Sequence, residues 1–94
     1  MIAVFGFQVE IFGGKTKNVF FAETDIEWPD FQRCVALYLG KNTELVYKVA
    51  GDNGKGYYLK SDDDFKTAME RLCQRAYNAR TWAVALEIRD MVRD

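Results

Sequence analysis

Three consecutive carboxylates, Asp62-Asp63-Asp64, stand between Ser61 and Phe65, and no other segment of the chain is so well placed to do chemistry. In the first turn of a helix, carboxylates stabilise the positive end by about 0.3–1 kcal/mol each where exposed. Ser61 with Asp64 three residues on also fits a capping box, in which hydroxyl and carboxylate satisfy free amides reciprocally. Held on a capped turn, the same groups form a fixed negative patch that Lys or Arg of a partner can approach with charge-assisted hydrogen bonds. The cationic counterparts are Lys15 and Lys17, which bracket one turn near the N-terminus. Lys41, Lys48, Lys55 and Lys60 are scattered, as solubilising charges are.

Other chemistries fit less well. The chain has no histidine, so the commonest general base and metal ligand are missing. Cys34 and Cys73 fall on apolar stripes of expected helices, and the carboxylates cluster at a solvated helix start. Acid–base work would need them in a cleft. No enzyme, cofactor or metal is therefore expected. Gly51-Asp52-Asn53-Gly54-Lys55-Gly56 matches neither standard phosphate-loop pattern and joins two strands instead of opening a helix. Its spacing from Asp62 to Asp64 is also wrong for a helix-loop-helix calcium site.

At 94 residues the chain is expected to form one domain, 1–94. Its 49% apolar content is too high for disorder and points to a packed core. With 13 basic and 14 acidic residues there is no global field to attract nucleic acid or acidic lipid. No apolar stretch reaches the ~20 residues of a membrane span. Met1-Ile2-Ala3-Val4-Phe5 reads as the start of a strand and not as a signal peptide. Two cysteines are too few for a disulfide scaffold, so reduced thiols and an intracellular setting, cytoplasmic or nuclear, are expected.

The elements that must position the carboxylates follow from periodicity. Phe5, Phe7, Val9 and Ile11 alternate with Gln8 and Glu10 over 3–12, as a half-buried strand does. A Gly13-Gly14-Lys15-Thr16 turn returns the chain through Val19-Phe20-Phe21, completing a hairpin. Trp28-Pro29-Asp30 opens a helix over 28–39, with Phe31, Cys34, Val35, Tyr38 and Leu39 recurring at helical spacing and Gly40 and Asn42 as its stop. Leu45–Val49 and Tyr57-Tyr58-Leu59 are strands three and four. From Ser61, Phe65, Ala68, Met69, Leu72, Cys73 and Ala76 form a helical stripe facing a core. Trp82, Val84, Leu86 and Ile88 alternate in a last strand. Tyr58 and Phe20 lie out of phase with the inward residues and are expected to be exposed.

Trp28-Pro29-Asp30-Phe31, the strand Leu45-Val46-Tyr47-Lys48-Val49 running into a polar loop, and Tyr57-Tyr58-Leu59-Lys60-Ser61-Asp62-Asp63-Asp64-Phe65 with Ala68 together resemble a PB1 domain across residues 5–90. The resemblance implies an α+β, ubiquitin-like β-grasp fold: a mixed sheet in the order β-β-α-β-β-α-β with both helices on one face. It also implies a signalling-scaffold association module of the PB1 type. Its protein partner would be another PB1-like or ubiquitin-like domain, the chain itself included. Asp52, Asp62, Asp63 and Asp64 would form the acidic contact, and Lys15 and Lys17 the basic one. Two positions depart from the family pattern. The usual Asp-Glu-Asp-Gly-Asp loop is reduced here to Asp52 and Gly54, with Lys55 of reversed sign. Glu10 stands where the family places a first-strand lysine. Two alternatives remain: a ubiquitin-like domain binding through its sheet face or edge strand, as small-GTPase-binding members do, and a structural accessory domain of a larger protein. The C-terminal Arg89-Asp90-Met91-Val92-Arg93-Asp94 lacks the di-glycine of a conjugated modifier.

Overall fold

The structure, a computed structural model, describes residues 4–13, 16–40, 43–51, 56–79 and 84–90. Strand β1 (Gly6–Gly13) carries the period-two pattern, and Phe7, Val9 and Ile11 are buried. It pairs antiparallel with β2 (Thr16–Glu23), from Gly6 opposite Glu23 to Gly13 opposite Thr16. Helix α1 (Trp28–Leu39) follows, with Pro29 in its first turn, where a missing amide hydrogen has no intrahelical partner to lose. Gly40 ends it at φ 84°, donating its N–H to the Ala36 carbonyl at 2.9 Å.

Strand β3 (Leu45–Val49) and β4 (Tyr57–Tyr58) form a second antiparallel pair. Helix α2 (Asp62–Ala79) and β5 (Ala85–Asp90) complete the chain. β5 lies parallel to β1 and antiparallel to β3, giving one five-stranded mixed sheet in the order β2-β1-β5-β3-β4. The element order and sheet match the expected ubiquitin-like arrangement.

Both helices cover one face of the sheet. Phe31, Val35 and Leu39 of α1, and Phe65, Ala68, Met69, Leu72 and Ala76 of α2, share one core cluster with inward residues of β1, β3 and β5. Each large side chain fully buried there contributes about 1.5–3 kcal/mol. Rings join the helices: Phe65 lies 4.9 Å from Phe31 and 5.4 Å from Trp28 between centroids.

Three details differ from the periodicity reading. The first strand begins at Gly6, not Ala3, and the fourth covers only Tyr57 and Tyr58. Leu59 is nevertheless buried, with its N–H donated to the Leu45 carbonyl at 2.9 Å. Phe20 is the third. It pairs with Val9 and so shares the core side, stacked on Tyr38 at 5.8 Å. Phe21, opposite Gln8, is the exposed aromatic at 78%. Without alternation in Val19-Phe20-Phe21, only the pairing register fixes which side each residue takes. Tyr58 is exposed as expected. Trp82, read as inward, lies outside the described residues.

Candidate functional site

The acidic run sits at the first turn of α2. Ser61 Oγ accepts the Asp64 N–H at 3.2 Å, and the Phe65 N–H to Ser61 carbonyl bond at 3.0 Å starts the helix. The carboxylate of Asp64 turns back to accept the Lys60 N–H at 2.9 Å. This is the expected reciprocal cap, with the return bond one residue further upstream than in the usual box. Asp64 is half-buried by this duty, whereas Asp62 and Asp63 are exposed. Asp62 pairs with Lys66 at 3.3 Å across one turn, and both side chains are more than half exposed. An exposed pair of this kind is worth only about 0.3–0.5 kcal/mol, so it yields readily to a better partner. Thr67 donates its hydroxyl to the Asp63 carbonyl at 3.1 Å. Among the described residues, none pairs with the Asp63 carboxylate. Asp52 and Lys15 lie outside the described residues.

A tyrosine–arginine clamp ties the middle of α2 to the sheet. Arg71 of α2 lies 4.2 Å from the Tyr57 ring centroid, and its charge acts on the Tyr47 phenol. The Tyr47 and Tyr57 rings are 5.6 Å apart. Burial pushes the Tyr47 phenol above its ordinary value, with Arg71 opposing the shift. The clamp holds the hairpin of β3 and β4 against α2. Gly51 opens the loop between these strands at φ 89°, a conformation that suits glycine, close to the Arg75 guanidinium.

The cationic candidate Lys17 lies on the other, open face of the sheet. Register places Lys17, Phe12 and Arg89 in one row across β2, β1 and β5, continued by Val46 and Tyr58. The Lys17 ammonium is 5.7 Å from the Phe12 ring centroid and Arg89 is 4.7 Å from it. Lys17 also meets Glu10 at 3.4 Å. The carboxylate that replaces the expected first-strand lysine is thus neutralised within the face. Arg89 escaped the sequence reading because its role depends on β5 lying beside β1, a pairing of residues far apart in the chain. Its only local signal is an outward position in the last strand's alternation. Asp90, one residue on, is buried at 1% exposure and accepts the Glu44 N–H at 3.3 Å.

Among the described residues, no group of three or more His, Cys, Asp or Glu side chains is arranged to hold a metal ion. Nor is any helix among them long and apolar enough to cross a membrane.

No family model matches the sequence, and no curated protein matches it. Solved structures do. The AtNBR1-PB1 domain superposes with a TM-score of 0.54 at 15% identity, covering 88% of this chain and 94% of that one. The AtNBR1-PB1 filament (L-type), solved by cryo-EM, superposes with a TM-score of 0.52 at 15% identity, covering 90% of this chain and 97% of that one. At this identity the likeness speaks to the fold, and it coincides with the sheet order and both helices described above: the chain has the ubiquitin-like fold of a PB1 domain.

Proposed function

We propose that this domain is a protein–protein association module that joins its acidic α2 start to a basic surface of another PB1-like domain, a second copy of itself included. The observation that carries this reading is the division of labour at the helix start. Ser61 and Asp64 cap the helix, leaving Asp62 and Asp63 exposed on a fixed turn. Asp52, which the PB1 resemblance also assigns to the acidic contact, belongs to it in this reading. The basic contact is Lys17 with Lys15, joined by Arg89 across Phe12. Acidic and basic contacts stand on opposite faces of one sheet, so pairing is heterologous and propagates from copy to copy. The filament formed by a structural neighbour supports that mode. Two free thiols, Cys34 and Cys73, support an intracellular setting.

The test is charge reversal followed by light scattering at low salt, where screening is weakest. Wild-type protein gains mass with concentration. Asp62→Lys/Asp63→Lys abolishes the gain while the circular dichroism spectrum is kept. Monomer at every concentration of wild type, with no binding to any PB1-like domain, contradicts the proposal.

A second reading has its own observation. β2 is an edge strand, with Phe21 exposed at 78% and Val19 at 39%. Such an edge can add a strand from a partner. Association that survives the aspartate reversal but is lost in Phe21→Lys favours this mode.

A further inference from the structure

A groove of about 800 Å³ runs between α2 and the connection from β2 to α1, within the range of about 300–1,000 Å³ typical of ligand sites. Its apolar surface comes from half-buried Ile26, Trp28 and Cys73, with Phe65 and Met69 at the base. Its rim is charged and almost all of one sign. Asp25 and Glu27 stand on one wall, Asp62 and Glu70 on the other, and among the described residues Lys66 is the single cation lining it. Lys66 is already paired with Asp62. Among the described residues, no ion pair engages Asp25, Glu27 or Glu70. Carboxylates therefore stand on both walls of one apolar cleft. They are complementary to a cationic occupant and repel acidic lipid or phosphate.

The rim also sets the size of the occupant. Asp62 and Glu70 are separated by about 12 Å along the helix axis at 1.5 Å per residue. One lysine or arginine side chain cannot serve both positions. An extended chain covers that distance in about four residues, which brings two basic side chains to the rim around one apolar anchor.

We propose that this groove binds a short extended segment of a partner protein, with an apolar side chain seated between Trp28 and Met69, flanking Lys or Arg side chains on Asp62 and Glu70, and Glu27 adding negative charge from the facing wall. The site shares Asp62 with the association proposed above and is told apart from it by Glu27 and Glu70, which take no part in that contact.

The test is selection of random dodecapeptides displayed on phage, with the wild-type domain as bait, followed by affinity measurement on synthesised peptides. Selected peptides carry two basic residues flanking an apolar one. They bind Glu27→Lys/Glu70→Lys at least about tenfold more weakly, while circular dichroism and self-association of that variant are unchanged. In a Cys34→Ser background the selected peptide slows alkylation of Cys73. The proposal is overturned by no selected peptide, by peptides without basic residues, by equal affinity for the charge-reversed variant, or by an unprotected Cys73. Binding lost in Asp62→Lys/Asp63→Lys but kept in Glu27→Lys/Glu70→Lys also overturns it, by moving the contact to the association site.

Discussion

Replacing Ser61 by Ala removes the oxygen that accepts the Asp64 N–H at 3.2 Å, and replacing Asp64 by Ala frees the Lys60 N–H bonded at 2.9 Å. Both amides are near the surface, so water takes over part of each bond and the cost stays below that of a buried orphan donor. Loss of a Ser cap costs about 1 kcal/mol, within a range of about 0.5–2. Loss of the Asp64 bond costs a similar amount, because its acceptor is charged and half-buried. For a domain of this size, 1 kcal/mol lowers the melting temperature by about 4–8 °C. Asp63→Asn removes only a helix-end charge and stays within about 0.5 kcal/mol of wild type. Thermal melts followed at 222 nm separate the two classes: Ser61→Ala and Asp64→Ala melt early, and Asp63→Asn does not. Association reverses the order, with Asp63→Asn weakened and Ser61→Ala unaffected at temperatures where it is folded. A melting loss for Asp63→Asn equal to that for Asp64→Ala, or none for Ser61→Ala, refutes the division of labour at the helix start.

Four further outcomes are expected. Phe31→Ala leaves a cavity beside Phe65 and Phe20 and costs about 3–5 kcal/mol, read as a fall in urea midpoint. Gly56→Ala brings a Cβ to within 2.3 Å of Val46 Cγ1, a stiff β-branched side chain, and destabilises the β3–β4 hairpin, measured by amide hydrogen exchange. The buried Tyr47 phenol has a folded pKa above its unfolded value, so its contribution is complete below about pH 10. That contribution is lost as pH rises through the folded value, and phenolate absorbance shows Tyr47 ionising above the ordinary tyrosine value. Burial likewise raises the Cys73 thiol, so its alkylation at pH 8 runs slower than that of a free cysteine.

The helices were legible because their signals are local. Pro29 and Gly40 bracket α1, and the stripe from Phe65 to Ala76 marks the inner face of α2. Ser61 and Asp64 announced their cap from spacing alone, as the two hydrogen bonds bear out. What could not be read is set by pairing over long separations. Phe20 and Phe21 exchanged expected faces because β2 lacks alternation and takes its register from β1. The Lys17–Phe12–Arg89 row exists only once β5 lies beside β1. The groove beside Trp28 needs α2 to meet the β2–α1 connection, an arrangement without a periodic signature.

Mixing two half-blocked variants tests association most directly. Asp62→Ala/Asp63→Ala keeps the basic face, and Lys15→Ala/Lys17→Ala keeps the acidic one. Sedimentation velocity at low salt is expected to show each variant alone as a monomer and an equimolar mixture as a one-to-one complex that stops there, because neither outer face can continue the chain. A mixture that remains monomeric, where the wild-type protein associates, contradicts pairing of the acidic helix start with the basic sheet face.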